Sequence, residues 1–247
     1  MMNLKALRIA PPPAKLTYSN GLKGFTLAEV LITLGIIGVV AAMTMPVLIA
    51  NKQRKELQTG LKEAYSVLQQ ALTRASYEQG ETVTSQNAAN RKLKSIIMPY
   101  FDSPVDCSWG GVHGTNASTV ICAGGTTENS VQSIDIYNNY SKKSGKIKAN
   151  PLDDGQFVIK NGMLIMIENI ENTYISVDVN GNGKKPNAWG HDLFTFQLMD
   201  DGKLLPMGAP GTVYYNQECS KTSTSLTNGI GCTYKAFTDQ NYWKTLP

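Results

Sequence analysis

Residues 25–45 read FTLAEVLITLGIIGVVAAMTM, a run with a single charge, at Glu29. A helix rises about 1.5 Å per residue, so the run would span roughly 30 Å, the thickness of a bilayer's hydrocarbon core. It is longer than the apolar core of a secretory signal peptide. No small-x-small cleavage site separates it from a polar mature start. A membrane-spanning helix over residues 25–46 is the plain reading. The acid within it is the anomaly. A carboxylate at mid-membrane costs about 2.5–3.5 kcal/mol, less near an end, so Glu29 calls for a partner or for escape to the interface.

Upstream, residues 1–24 carry Lys5, Arg8, Lys15 and Lys23 and no acid, and they stop at a glycine where the apolar run begins at once. Gly24-Phe25-Thr26-Leu27-Ala28-Glu29, followed by Val30-Leu31-Ile32, resembles the class III signal of type IV pilins and type II secretion pseudopilins. The close similarity runs from Lys23 to about Pro46. The resemblance implies a leader over 1–24, cut after Gly24 by a membrane-embedded prepilin peptidase that also methylates the new Phe25 amine. It makes Glu29 the fifth residue of the mature chain. It implies that the Phe25 amine of one subunit meets Glu29 of its neighbour, so that a charge expensive in lipid is offset only at the right axial stagger. A pair of this kind specifies register more than it adds stability.

The leader also explains the charge. The whole chain has 23 basic and 19 acidic residues; the four basic residues of the leader bring the former to 19, a balance of zero. The basic excess is therefore no argument for a nucleic-acid partner. Loop charges do not settle orientation, since Lys52, Arg54 and Lys55 follow the span as Lys15 and Lys23 precede it.

Downstream, Pro46 is expected to end or kink the apolar run, with Gly35 and Gly38 as soft points inside it. Leu57, Leu61, Ala64, Leu68, Leu72 and Ala75 then recur every three to four residues among Lys, Gln and Glu. That spacing predicts an amphipathic helix over 47–77 with one stripe to bury. The two segments read as one long helix, the first half in membrane and the second against a head of residues 78–247. In the head, 78–90 reads as a loop, 91–100 as a short helix, and the Gly-, Ser-, Asn- and Thr-rich stretch 102–150 as irregular structure with short strands. Residues 157–167 read as a hairpin turning at Asn161-Gly162, the preferred two-residue type I′ pair. Strands follow at 174–179 and 193–199. The expected fold is α+β, a long helix packed on a small antiparallel sheet, and it matches a pilin-like architecture without help from the leader.

Cys107, Cys122, Cys219 and Cys232 all lie beyond the apolar run. Four cysteines allow three pairings; proximity favours Cys107–Cys122 and Cys219–Cys232. With no C-x-x-C pair, a zinc knuckle or a thioredoxin-type site is not expected, and an oxidising, exported location is.

The most site-like stretch of the head is Asp178-Val179-Asn180-Gly181-Asn182-Gly183-Lys184. Oxygen side chains at alternate positions before glycine resemble the first half of a calcium loop, and some pseudopilins carry calcium in their heads. Trp189 stands where the twelfth-position glutamate would be, and Asp192 is the carboxylate able to fold back. The competing reading is a strand connection rich in Asn and Gly. Calcium at Asp178, Asn180, Asn182 and Asp192 is the only cofactor expectation. The basic run Lys142, Lys143, Lys146 and Lys148 reads as a solvated loop, and His113 and His191 as satisfied or exposed side chains.

The expected function is a non-enzymatic structural subunit of a type IV pilus-like filament or a type II secretion pseudopilus. By the resemblance it is held in the bacterial cytoplasmic membrane by one span, with its head in the periplasm or outside, and is then drawn into a filament. Its partners are identical or related subunits, the prepilin peptidase, the inner-membrane assembly platform and membrane lipid; nucleic acid is not expected. The alternatives are a minor pilin acting as an adhesin or DNA-binding tip subunit, and a membrane-anchored periplasmic enzyme.

Overall fold

Why one helix continues from an apolar run into an amphipathic one is plain in the structure, a computed structural model that describes residues 24–109, 121–128 and 131–247. The expected leader, up to residue 23, and His113 lie outside the described residues. Helix α1 spans Leu27–Gln79, 53 residues, with Pro46 inside it. Of the two expectations for Pro46, an end or a kink, the first does not hold for the helix itself, which continues through Pro46 as the expected single long helix. Proline removes one N–H from the ladder, and the bonds of the turns on either side keep the backbone helical.

The described chain divides into two units, the first ending at Ile49 and the second running from Ala50 to Pro247. In the first, every large apolar side chain from Phe25 to Ile49 is exposed. This is the one described helix long and apolar enough to cross a membrane. Its hydroxyls are turned inward. Thr33 Oγ1 donates to the Glu29 carbonyl and Thr44 Oγ1 to the Val40 carbonyl, both at 2.9 Å, so neither needs water.

In the second unit, the remainder of α1 buries Leu57, Leu61, Ala64, Leu68, Ala71, Leu72 and Ala75. Helix α2 is Leu93–Ile97. The strands are β1 Val105–Asp106, β2 Thr126–Glu128, β3 Val131–Ile134, β4 Ile147–Lys148, β5 Gln156–Val158, β6 Leu164–Glu168, β7 Tyr174–Asp178, β8 Leu193–Leu198 and β9 Leu204–Pro206; helix α3 is Thr233–Thr238. Six strands form an antiparallel sheet in the order β1-β5-β6-β7-β8-β9, and β2-β3-β4 form a second, small sheet.

The main sheet is buried on both faces, and the period-two alternation assigns its residues. Phe157, Ile165, Ile167, Ile175, Val177, Phe194 and Phe196 join the α1 stripe in one core. Val158, Leu164, Met166, Tyr174 and Leu193 face the other way, onto Ile134, Tyr137, Ile147, Leu152 and Trp189. The stretch expected to be irregular therefore roofs the far side of the sheet.

The hairpin between β5 and β6 differs from expectation in its turn. Val158 pairs with Leu164, Gly162 N–H donates to the Ile159 carbonyl at 2.8 Å and Ile159 N–H to the Met163 carbonyl at 3.0 Å. The corner residues are thus Lys160 and Asn161, and Gly162 alone takes positive φ, +89°. This is the longer hairpin loop with a glycine bulge. A type I′ pair would require positive φ at both Asn161 and Gly162.

The cysteines pair as Cys107–Cys122 and Cys219–Cys232, with Cα atoms 5.8 and 5.0 Å apart. Loops of this length contribute up to about 3 kcal/mol each in the chain-entropy account. One disulfide pins the roof, and the other ties the C-terminal segment to the core through buried Cys232.

Candidate cation loop and N-terminal signal

The connection from β7 to β8 starts and ends on buried carboxylates. Asp178 closes β7. Its Oδ1 accepts from Asn180 N–H at 3.2 Å and Gly181 N–H at 2.9 Å, and its Oδ2 accepts from the Tyr137 hydroxyl at 2.6 Å. Asp192 precedes β8. Its two oxygens accept from Asn187 N–H and Ala188 N–H, both at 2.7 Å. Antiparallel pairing of Asp178 with Leu193 returns the chain to its starting point. Asp192 is thereby brought back to Asp178, the fold-back that the sequence allowed.

Both carboxylates are fully buried. Burial pushes the Asp178 carboxyl up to about 6, against the opposing pull of the Tyr137 hydroxyl, the two backbone N–H groups and Lys184. Burial, and then the charge of Asp178, pushes Asp192 well above the ordinary range. Two acids enclosed together disfavour a double negative charge.

In the same connection, the side-chain oxygens of Asn187 and Asn180 find no donor among the described residues. Asn187 is 4% exposed. Its N–H holds Asp192 and its Nδ2 donates to the Asn182 carbonyl at 2.7 Å, while its Oδ1 is buried with no donor. Asn180 Nδ2 donates to the Lys185 carbonyl at 3.2 Å, and its Oδ1 is likewise buried with no donor. Asn182, also buried, donates through Nδ2 to the Cys122 carbonyl at 3.1 Å, linking the loop to the first disulfide. A buried acceptor without a donor is costly. Side-chain amide oxygens and two carboxylates on one connection are the donor types of a hard cation such as calcium, so the chemistry of these residues fits that ion. Asn187 was missed in the sequence because it lies past Pro186, outside the alternating D-x-N-x-N pattern. Trp189 is no ligand: it is buried and donates through Nε1 to Thr195 Oγ1 at 2.9 Å.

A second acidic group, also missed, joins Asp153, Asp154 and Glu168, whose carboxylate oxygens lie within 4.8 Å of one another. Arg91 Nε reaches Asp154 Oδ1 at 2.6 Å and Asn169 N–H donates to Asp154 Oδ2 at 2.9 Å. Its cation is thus already supplied by the protein. Burial first, and then the charges of Asp154 and Asp153, raise the Glu168 carboxyl to about 7. His191 is buried, its Nε2 2.9 Å from the Tyr140 carbonyl, and burial lowers it to about 4. It is a neutral structural side chain. In the basic run, Lys142 donates to the Pro247 carbonyl at 3.0 Å.

At the other end of the chain, Gly24 and Phe25 are exposed and precede the first helical turn. Thr26 and Glu29 form a reciprocal cap. Glu29 N–H donates to Thr26 Oγ1 at 3.2 Å, while Thr26 N–H and Thr26 Oγ1 each donate to Glu29 Oε2 at 2.8 Å. This is a capping box, and its T-x-x-E pattern was legible in the sequence. Glu29 thus already has a use within the single chain: its carboxylate accepts from one backbone donor at the helix start, Thr26 N–H, and from the Thr26 hydroxyl.

Among known families, the prokaryotic N-terminal methylation motif matches residues 20–45. No curated protein and no solved structure is significantly similar to the chain. The match falls on the glycine, the capped helix start and the apolar span just described. With that one long apolar helix it fits a membrane-anchored, single-pass chain, and it points to a structural subunit rather than an enzyme. Residues 20–45 of this chain are a prokaryotic N-terminal methylation motif, the prepilin-type signal of type IV pilins and pseudopilins.

Proposed function

We propose that the chain is a subunit of a type IV pilus-like filament or of a type II secretion pseudopilus, cut after Gly24, methylated at Phe25 and assembled through Glu29. The observation that carries this reading is the junction itself: a helix start capped by Thr26 and Glu29, directly after Gly24 and at the head of a fully exposed apolar surface. Cleavage creates a cationic amine at Phe25 one turn from Glu29. The carboxylate can exchange its contacts within the chain for the amine of a neighbouring subunit, and only one axial stagger permits that exchange. The division into a leader of 1–24, a span of 25–46, an amphipathic half-helix of 47–77 and a head of 78–247 belongs to the same proposal, as does a head in the periplasm or outside. So do the assembly platform and membrane lipid as partners.

The test is mass spectrometry of the chain expressed with a prepilin peptidase and a filament assembly system. The expected product begins at methylated Phe25 and has 223 of the 247 residues. Glu29→Ala should be cleaved normally and be missing from sheared filaments. Normal incorporation of Glu29→Ala would sink the register argument, and an uncut chain would sink the processing reading.

For the head we propose a bound calcium ion held by Asp178 and Asp192 with the side-chain oxygens of Asn180, Asn182 and Asn187. The ion would neutralise the buried acid pair and fix the β7–β8 connection against the roof. The buried donor-less oxygens of Asn180 and Asn187 favour this over a plain turn.

A further inference from the structure

Four lysines line one cleft of about 670 Å³ beside the start of the head: Lys52 and Lys55 on α1, and Lys184 and Lys185 on the β7–β8 connection. The two segments are held together by Gln53, whose Nε2 donates to the Lys185 carbonyl at 3.1 Å. They are further held by Val179, which lies so close to Gly60 that a Cβ there would meet it at 3.1 Å. All four lysines are exposed. Two acids share the cleft. Glu56 is 3.6 Å from Lys52, and Glu63 accepts from Asn161 Nδ2 at 2.9 Å. Lys55, Lys184 and Lys185 make no salt bridge among the described residues. Arg54 on α1 and Lys142 lie near enough for their charges to interact, which extends the positive surface around the helix.

The position of this patch along the chain selects its partner. Lys52 follows Ile49, the last of the exposed apolar residues that continue past Pro46 as Val47, Leu48 and Ile49, by three residues. Even fully extended, three residues cover only about 11 Å. The headgroup layer of a bilayer is roughly 5–8 Å deep on each side, and the reach of a charge at physiological salt is about 8 Å. On the membrane-spanning reading of α1, Lys52 is within reach of the headgroups, and within the head Gln53 keeps Lys184 and Lys185 beside it. We propose that this lysine cleft binds the anionic phospholipid headgroups of the leaflet from which α1 emerges. Contact would hold the head against the membrane while the subunit waits in the bilayer. Each lysine within reach of an anionic surface strengthens such contact about fivefold. Departure from the membrane then requires that these contacts be released.

The inference rests on the membrane-spanning reading of α1 but not on the filament reading, and the experiment separates the two. The full chain is placed in lipid nanodiscs, either of phosphatidylcholine alone or of phosphatidylcholine with phosphatidylglycerol. Co-elution with the discs checks insertion first. Acetylation rates of individual lysines are then read by mass spectrometry. Lys203 is the internal control. Its neighbour Gly202 lies against Thr82, beyond the far end of α1, about 40 Å along the helix from Lys52. Lys55, Lys184 and Lys185 should react at least about threefold more slowly in the anionic discs. The difference should vanish near 1 M salt, where screening acts within about 3 Å. Lys203 should react equally in both. Equal rates at Lys184 and Lys185 in the two lipids overturn the proposal, and so does slowing confined to Lys52, which tethering alone explains. As a second arm, Lys55→Glu with Lys185→Glu, which spares the Lys184 charge beside Asp178, should abolish the lipid-dependent slowing at Lys184 with the melting temperature unchanged. Persistence of that slowing also overturns the proposal.

Discussion

Asp192→Asn separates a structural role of the β7–β8 connection from an ion-binding one. The wild-type carboxylate accepts two 2.7 Å bonds, from Asn187 N–H and Ala188 N–H. An amide offers one oxygen, and its NH2 then confronts the second N–H. A buried donor left without an acceptor costs about 1–3 kcal/mol. Removing one charge of a buried like-charged pair works in the opposite direction, so in chelator the variant should melt within a few degrees of wild type. Calcium breaks this near-tie. An ion bound only by the native state stabilises by about 2.7 kcal/mol at one hundred times its dissociation constant. For a head of this size each kcal/mol moves the melting temperature by roughly 2–4 °C. Wild type in detergent micelles should therefore gain about 5–10 °C between chelator and saturating calcium, and Asp192→Asn should gain almost nothing. Magnesium should substitute poorly, because it demands a tighter octahedral shell and keeps its waters. A wild-type melting temperature indifferent to calcium, or a gain in the variant equal to that in wild type, refutes the reasoning.

Two other outcomes follow from the packing of the head. Leu68 is fully buried between α1 and the sheet, so Leu68→Ala should cost about 2–5 kcal/mol, read as a lowered denaturation midpoint with an unchanged slope. Glu168 has its carboxyl raised to about 7 by burial beside Asp153 and Asp154. A carboxyl raised in the folded state makes its most favourable contribution below the unfolded value of about 4.3, and this is lost as pH rises toward about 7. Glu168→Gln should flatten that part of the stability–pH curve, as followed by thermal melts across the window.

The N-terminal third was legible because its determinants are local. An apolar run of bilayer length and a stripe at helical spacing each depend on neighbours within a few residues, so α1 and its buried face could be read directly; the T-x-x-E cap at its start is equally local but went unread. The strands at 157–167, 174–179 and 193–199 were legible for the same reason, since β-branched and aromatic runs announce themselves. The roof over the sheet was not. Ile134, Tyr137, Ile147 and Leu152 are spaced without period in a polar stretch, and only the closed fold brings them onto Leu164 and Met166. The turn at Asn161-Gly162 was misassigned because the dipeptide favours one loop length while the register of β5 on β6 imposes another.

The sequence alone determined that this chain carries a prepilin-type signal and a membrane-length helix, because both are properties of contiguous residues. Tertiary structure decided everything that depends on return. Antiparallel pairing of β7 with β8 brings Asp192 to Asp178. Burial then turns Asn187, an unremarked residue after a proline, into a buried oxygen with no donor among the described residues. The lysine cleft exists only because Gln53 holds Lys184 and Lys185 beside Lys52 and Lys55 across more than one hundred residues of chain. Charges and oxygens that meet in this way carry no local pattern. Their chemistry appears only when packing has removed the water between them.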